Sequence, residues 1–430
     1  MPYDEGLVLD FFKSIEEKIC REYIISRELD VKPVKDKAVT IIGPRRSGKT
    51  FYLFQKKREI GGIYIDFESV EFFNLEPLEV LKLIILYQEY FEVKTNTIFL
   101  DEVQNLKNWE SVVRSLLNRG YRVFVTGSSS KLLSKEIATQ LRGRTLNYLL
   151  LPFSFKEFLK ARKFKIKRYF SESEVSKIKK MLREYLHWGG FPEVVLKENK
   201  NRIVREYFEL MFYKDFIDRH KIKSIETARV IYEYLIQNFA NEISITKIQN
   251  FIQKTKGIKT KTTIYNYLDK ISDTMVVFFL DRLESSVYKR KTYPKKIYLC
   301  DVSLSNILSL SENFGNRMEN VVFLELLRNV NSNPLMNIYY LKTSQNREVE
   351  FVIKERDKIK QLINVTYAND FDSIRRNEWA NLLHAKELFK KDNPELIIIT
   401  WDYEDVKELS WFGKKGKIKF IPLWKWLIKT

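Results

Sequence analysis

Apolar residues along the chain follow two rhythms. Short, nearly unbroken apolar runs occur at residues 38–42 (AVTII), 62–67 (GIYIDF), 97–102 (TIFLDE) and 121–129 (YRVFVTGSS). Between the later runs, at 77–91 and 108–118, apolar residues recur with the 3.6-residue spacing of a helix. A solid apolar run predicts a strand buried on both faces, and such strands alternating with helices predict a parallel α/β sheet. A helix over FFKSIEEKICREYII (11–25) precedes the first strand, and the block closes near Pro152.

Beyond it the pattern changes. Residues 153–225 are mostly helical in spacing, dense in Lys and Arg, and contain the turn HWGGFPE. Three helices are predicted at 226–239, 244–254 and 260–272. Two β-type runs, MVVFFLDRL and KKIYLCD, then flank the basic segment ESSVYKRKTYPK. A helix over NRMENVVFLELLRN opens the last part. Strands follow at IYYLKT, EVEFVIK and QLINVTY, then a helix at 372–390 and a strand at 396–401. There is no internal repeat.

Composition narrows the classes. The 430 residues carry 75 basic and 56 acidic side chains, a net charge of +19, with 44% hydrophobic and 14% aromatic content. That is enough apolar material for real cores and excludes a disordered polyelectrolyte. Cys20 and Cys300 are the two cysteines and lie far apart, so a disulfide scaffold and a CxxC metal pair are excluded. Three histidines leave little for a zinc site. The acidic start MPYDEGLVLDFF is unlike a signal peptide, and no run is apolar and long enough to span a bilayer. The expectation is a soluble cytoplasmic protein, off the membrane, with an anionic partner, nucleic acid first.

The sharpest motif is Gly43-Pro44-Arg45-Arg46-Ser47-Gly48-Lys49-Thr50, a GxxxxGK[ST] loop with a strand before it and a helix after it. Backbone N–H groups wrapping a phosphate need glycine's freedom, and the following helix turns its positive end to the anion. Lys49 is expected to reach the β and γ phosphates and Thr50 to ligate Mg²⁺. In TIFLDE, an apolar strand ends in two acids. Asp101 would hold Mg²⁺, and Glu102 would take the proton of the attacking water. In VFVTGSSS, Thr126 and Ser128 would reach the same edge to sense the γ-phosphate or orient the water. Arg142 and Arg144 follow in LRGR, where an arginine could stabilise phosphoryl charge in cis or from a neighbour. No NKxD guanine signature is present, which favours ATP over GTP.

GPRRSGKT, IFLDEVQN, VTGSSSKLLSKEIATQLRGR, LPFSFKEFL and GGFPEVV stand in the order seen in archaeal and bacterial ATPases of the AAA-like superfamily, which the chain resembles over nearly its whole length. The resemblance implies an ATP-binding AAA-type core, a helical lid, a winged helix and a nuclease-like domain. It implies Asp101 and Glu102 as the Mg²⁺ and water residues, Ser128 as sensor and Arg144 as arginine finger. In such rings the finger serves the neighbouring subunit, so a homo-oligomer is implied. Roles across the family range from DNA transactions to signalling or defence switches.

Four parts are therefore expected: a P-loop NTPase parallel sheet over 1–152, a lid over 153–225, a winged helix-turn-helix over 226–310 and a small α/β restriction-endonuclease-like domain over 311–430. Residues 254–296 hold 11 Lys or Arg against four acids, a charge of +7. Helix, helix, helix, strand, basic turn, strand is the winged-helix order, in which the third helix enters the major groove and the wing touches phosphates. Lys259, Lys261, Thr262, Thr263 and Asn266 open the third helix; Lys289, Arg290 and Lys291 would lie on the wing. Ile264, Tyr267, Leu268 and Ile271 are its core face. The alternative is a winged helix used only for protein contacts.

REVEFVI, a turn and LINVTY have the layout of a nuclease core, which needs acids to hold metal and a lysine to activate water. Glu319 and Glu350 can supply carboxylates. Where acid-x-Lys is required, the chain has Asn364-Val365-Thr366. An inactive domain is expected, with Lys342 and Lys354 the nearest lysines that could substitute. The function expected is an Mg²⁺-dependent ATPase coupled to DNA. The alternative is a slow nucleotide-controlled switch acting on protein partners.

Overall fold

The computed structural model describes residues 4–73, 75–127, 141, 143–256, 261–308, 313–343 and 345–429. The chain divides into two compact units, Met1–Leu151 and Pro152–Thr430.

In the first unit, α1 (Glu5–Arg21) is N-capped by Asp4, whose carboxylate accepts from the Gly6 and Leu7 N–H groups. Then come β1 (Ala38–Ile42), α2 (Lys49–Ile60), β2 (Ile63–Asp66), α3 (Pro77–Tyr90), β3 (Thr97–Asp101), α4 (Trp109–Asn118), β4 (Arg122–Gly127) and β5 (Thr145–Leu149). The strands form one sheet in the order β2-β3-β4-β1-β5, every pairing parallel. β1 and β3 are buried at every position, as their unbroken apolar runs require. The core joins Val39, Ile41, Tyr52, Phe54, Tyr64, Phe99 and Phe124. Because all strands run one way, their C-terminal ends share one edge, where Asp66 lies level with Asp101 and Ile42 with Gly127. The half-exposed edge strand β5 lies in a stretch where the sequence pattern marked no strand.

The second unit begins with α5 (Phe155–Ala161), α6 (Glu172–Trp188), α7 (Pro192–Leu196) and α8 (Lys200–Leu210), which runs into π-helical turns over Met211–Asp218. The HWGGFPE turn joins α6 to α7. Gly189 there has φ 70°, and a Cβ would lie 1.7 Å from Asp301 Oδ1. Buried Asp301 accepts from the Gly190 N–H at 2.6 Å and from the Ser303 N–H and hydroxyl at 2.9 and 2.6 Å. The two glycines let one carboxylate clasp the turn.

Next come α9 (Ile225–Gln237), β6 (Glu242–Ile243), α10 (Ile245–Lys256), α11 (Lys261–Asp273), β7 (Val277–Leu280), α12 (Val287–Thr292) and β8 (Lys295–Leu299). Their small sheet has the order β6-β8-β7, all antiparallel. The segment expected as a basic turn is instead the short helix α12, N-capped by the Ser286 hydroxyl. The residues before it are also committed. Tyr340 N donates to Asp281 O at 3.1 Å, and Leu283 N donates to Tyr340 O at 2.7 Å.

The last part is α13 (Phe314–Ser332), β9 (Met336–Lys342), β10 (Glu348–Glu355), β11 (Lys358–Val365), α14 (Arg376–Leu388), β12 (Glu395–Thr400), β13 (Asp405–Trp411), β14 (Lys414–Pro422) and α15 (Leu423–Lys429). Six strands pair in the order β13-β14-β12-β11-β10-β9. β11, β12 and β14 are mutually parallel, and the outer pairings β13–β14, β11–β10 and β10–β9 are antiparallel. Val349, Val352, Leu362, Leu382, Ile398 and Phe420 form its core.

Candidate functional site

The loop after β1 folds as its glycines dictate. A Cβ on Gly43 would lie 2.1 Å from Leu150 O, so only glycine lets the loop leave the sheet there. Gly48 has φ 95° and Arg46 φ 65°, both left-handed, turning successive N–H groups inward. Pro44 and Ser47 are buried, Arg45 is half-buried and Arg46 exposed. Lys49 and Thr50 open α2. Lys49 is buried, its ammonium donating to Gly43 O and Pro44 O, both at 3.2 Å. The guanidinium of Arg27, also buried, donates to Ser47 O at 2.8 Å and Leu151 O at 2.5 Å. It braces the loop from below, a role its sequence context did not signal.

The acids stand beside this loop because β4 separates β1 from β3 by one strand width. Asp101 is buried, and its carboxylate accepts from Tyr64 Oη at 2.6 Å, from the Thr126 hydroxyl and from the Thr50 hydroxyl. Burial and then the neighbouring Glu102 charge push its pKa up, while the three hydroxyls pull it down. Glu102 has φ 48°. Its N–H donates to Thr126 Oγ1 at 3.0 Å, and its carboxylate accepts from Gln104 Nε2 at 2.5 Å. Thr126 thus holds both acids with one hydroxyl. Asp66, which the sequence reading did not single out, is pushed up to about 6 mainly by burial. Glu68 is raised by burial and the Glu102 charge, with Arg45 and Lys49 opposing. The signal for Asp66 was present: GIYIDF ends in an acid, as TIFLDE does.

These residues fit a nucleotide triphosphate and its metal. The loop offers N–H donors and an ammonium, and the edge beside it offers a hydroxyl and a buried carboxylate. Thr50 and Asp101 would hold Mg²⁺, which when bound neutralises charge on the phosphates.

Residues 35–159 match a family model described as an AAA domain, and residues 179–314 one described as a domain of unknown function, DUF8612. Protein MJ1544 of Methanocaldococcus jannaschii is 39% identical over 415 residues, spanning 94% of this chain and 91% of its own length. The chain belongs to an AAA-like ATPase family. A Haemophilus influenzae protein is 28% identical over 412 residues, spanning 91% of this chain and 96% of its own. Among solved structures, the Walker-type ATPase PABY2304 of Pyrococcus abyssi aligns at 13% identity over 71% of this chain and 95% of its own, with a TM-score of 0.41.

The remaining expected residues of this AAA-like ATPase fall in different places. Ser128 and Arg142 lie outside the described residues. Arg144 is exposed and bonded to Asn118 Oδ1 at 2.6 Å, and its carbonyl accepts from Ala38 N at 2.9 Å. It therefore stands at the N-terminal edge of the sheet, a strand length of roughly 17 Å from the loop. A contact in cis is ruled out by that distance. Lys261 and Thr262 are exposed at the start of α11, while Ile264, Tyr267 and Ile271 are buried and Leu268 is half-buried. On α12, Lys289 is exposed and Arg290 half-buried. Lys259 and the Lys291 side chain lie outside the described residues.

On the six-stranded sheet, Glu319 of α13, Glu348 and Glu350 of β10 and Glu378 of α14 interact. Neither Lys342 nor Lys354 joins them among the contacts described; Lys342 pairs with Glu242 at 2.5 Å. The lysine that does is Lys296, from β8. Sequence distance concealed it, because it arrives from another sheet. Among the described residues no helix is long and apolar enough to cross a membrane.

Proposed function

We propose that the chain binds ATP with Mg²⁺ at Gly43–Thr50, hydrolyses it, and couples the cycle to DNA. The observation that carries the reading is the pairing of a glycine-dependent loop with Thr126, whose hydroxyl fixes Asp101 and Glu102 together beside it. Lys49 leaves the Gly43 and Pro44 carbonyls to meet the β and γ phosphates. Glu102, held by its backbone, accepts the proton of the water that attacks the γ-phosphorus. Lys49→Ala is expected to lose nucleotide binding. Glu102→Gln is expected to keep it and to slow hydrolysis by about 10²–10⁴-fold. Wild-type turnover in Glu102→Gln, measured by phosphate release, would remove Glu102 from this role.

The DNA arm rests on the winged-helix order of α9, β6, α10, α11, β7 and β8 and on the +7 charge of residues 254–296, whose buried Lys296 takes no part in DNA contact. Lys261 and Thr262 would face the groove, with Lys259 before them, and Lys289, Arg290 and Lys291 would contact phosphates. Replacing Lys289, Arg290 and Lys291 by Ala is expected to weaken binding and to flatten the salt dependence by about one unit per lost contact. A triple variant with unchanged affinity and slope would exclude this surface.

A second reading, a slow switch with a protein partner, is favoured by one observation. The segment leading into α12 is hydrogen-bonded to β9, so the wing is not a free loop. ATPase rates with and without DNA separate the two.

The six-stranded sheet is proposed to be catalytically inactive as a nuclease. Asn364 Oδ1 accepts from Glu350 N at 3.0 Å and Asn364 Nδ2 donates to Glu378 O at 2.8 Å, so the amide serves the backbone.

A further inference from the structure

A strand of the small sheet delivers a cation into the acidic cluster of the large one. The Lys296 side chain is 4% exposed. Its ammonium lies 2.8 Å from Glu319 Oε1 and 2.6 Å from Glu348 Oε1, and the Glu350 charge acts on it as well. Tyr298, two residues further along β8 and therefore on the same face, donates to Glu319 Oε1 at 2.7 Å. β8 thus presents an ammonium and a hydroxyl to acids from α13 and β10.

Buried carboxylates need a compensating charge, which either a metal ion or an ammonium can supply. Here Glu319 Oε1 and Glu348 Oε1 are already engaged by Lys296. Glu350 Oε2 accepts from Val365 N at 2.5 Å, and the Asn364 amide is bonded on both sides. With the lysine in place, no group of three or more His, Cys, Asp or Glu among the described residues is arranged to hold a metal ion.

We propose that Lys296 is a built-in cation: its ammonium takes the place of a divalent ion in the Glu319–Glu348–Glu350 cluster, closing the large sheet to metal and bolting the β7–β8 hairpin onto it. Taking the lysine away leaves several carboxylate oxygens around a space the size of its side chain. A hard divalent cation is the natural replacement.

The test uses the full chain with Mn²⁺ alone as probe, in a Thr50→Ala/Asp101→Asn background that removes the loop's own metal ligands. Free Mn²⁺ is read by electron paramagnetic resonance and folding by circular dichroism. With Lys296 present, no Mn²⁺ is taken up. Lys296→Ala melts at a lower temperature, takes up one Mn²⁺ per chain, and recovers several degrees when it does. Adding Glu319→Gln abolishes that uptake. If Lys296→Ala does not fold alone, Mn²⁺ is expected to restore the fold, since metal binding then contributes directly to folding. Lys296→Met/Glu319→Gln, neutral and of similar volume, folds and takes up none. A Lys296→Ala chain that neither binds nor is refolded by Mn²⁺ overturns the proposal. So does Mn²⁺ uptake by the Lys296 chain that disappears in Glu350→Gln, which would make the cluster an open metal site.

Discussion

At the scale of single residues, Thr126 does more than its place at a strand end suggests. Its hydroxyl accepts from Glu102 N–H and donates to Asp101, so one side chain fixes the backbone of one acid and the carboxylate of the other. Valine has nearly the same shape and neither bond. Thr126→Val is therefore expected to leave nucleotide affinity close to wild type and to lower single-turnover hydrolysis by about 10- to 100-fold, the worth of one or two positioning hydrogen bonds. Equal loss of affinity and rate would mean that Thr126 shapes the nucleotide pocket rather than the acids. The loop motif and the paired acids were legible because the chemistry demands those residues at that spacing. Arg27 was not, because a lone arginine in a polar stretch has no pattern until folding brings it under Ser47.

At the scale of elements, legibility followed burial. Strands buried on both faces announce themselves as solid apolar runs, and β1, β3 and β4 were read in that way. The hairpin β13–β14 was missed. Its sequence DVKELSWFGKKGKIKFIP alternates exposed and covered residues, and Phe412-Gly413 makes the turn with positive φ at both positions. The period-two signal is clean in β14, but in β13 it is broken by Val406 on the open face and by Asp405 and Lys407 on the covered one. Strand β5 was missed because its side chains are half-exposed and polar residues interrupt it. The HWGGFPE turn was seen, but its cause was not, since Asp301 comes from more than a hundred residues later in the chain. Two glycine substitutions separate that clasp from backbone strain. Gly413, with φ 76° and open space around it, should cost Gly413→Ala about 1–2 kcal/mol for the left-handed backbone alone. Gly189→Ala adds a collision with a buried carboxylate and should cost about 2–5 kcal/mol. Chemical denaturation of the two variants should rank them in that order; equal costs would mean that Asp301 can move aside.

At the scale of the whole molecule, the sheet sets Lys49 and Arg144 at opposite edges, so any finger role for Arg144 must be played on another copy. Mixing Arg144→Ala chains with Lys49→Ala chains is then expected to recover part of the hydrolysis that each lacks alone, because one intact composite site forms. Mixed oligomers that recover nothing at any ratio would exclude the trans finger. The same placement limits the symmetry of any such assembly. A molecule that gives its arginine from one edge and receives its neighbour's at the other can do both with a single partner only by lying antiparallel to it across a two-fold axis. With copies stacked in the same sense the contact is head-to-tail instead: it closes into a ring when the rotation per step divides a full turn, and otherwise grows as an open filament.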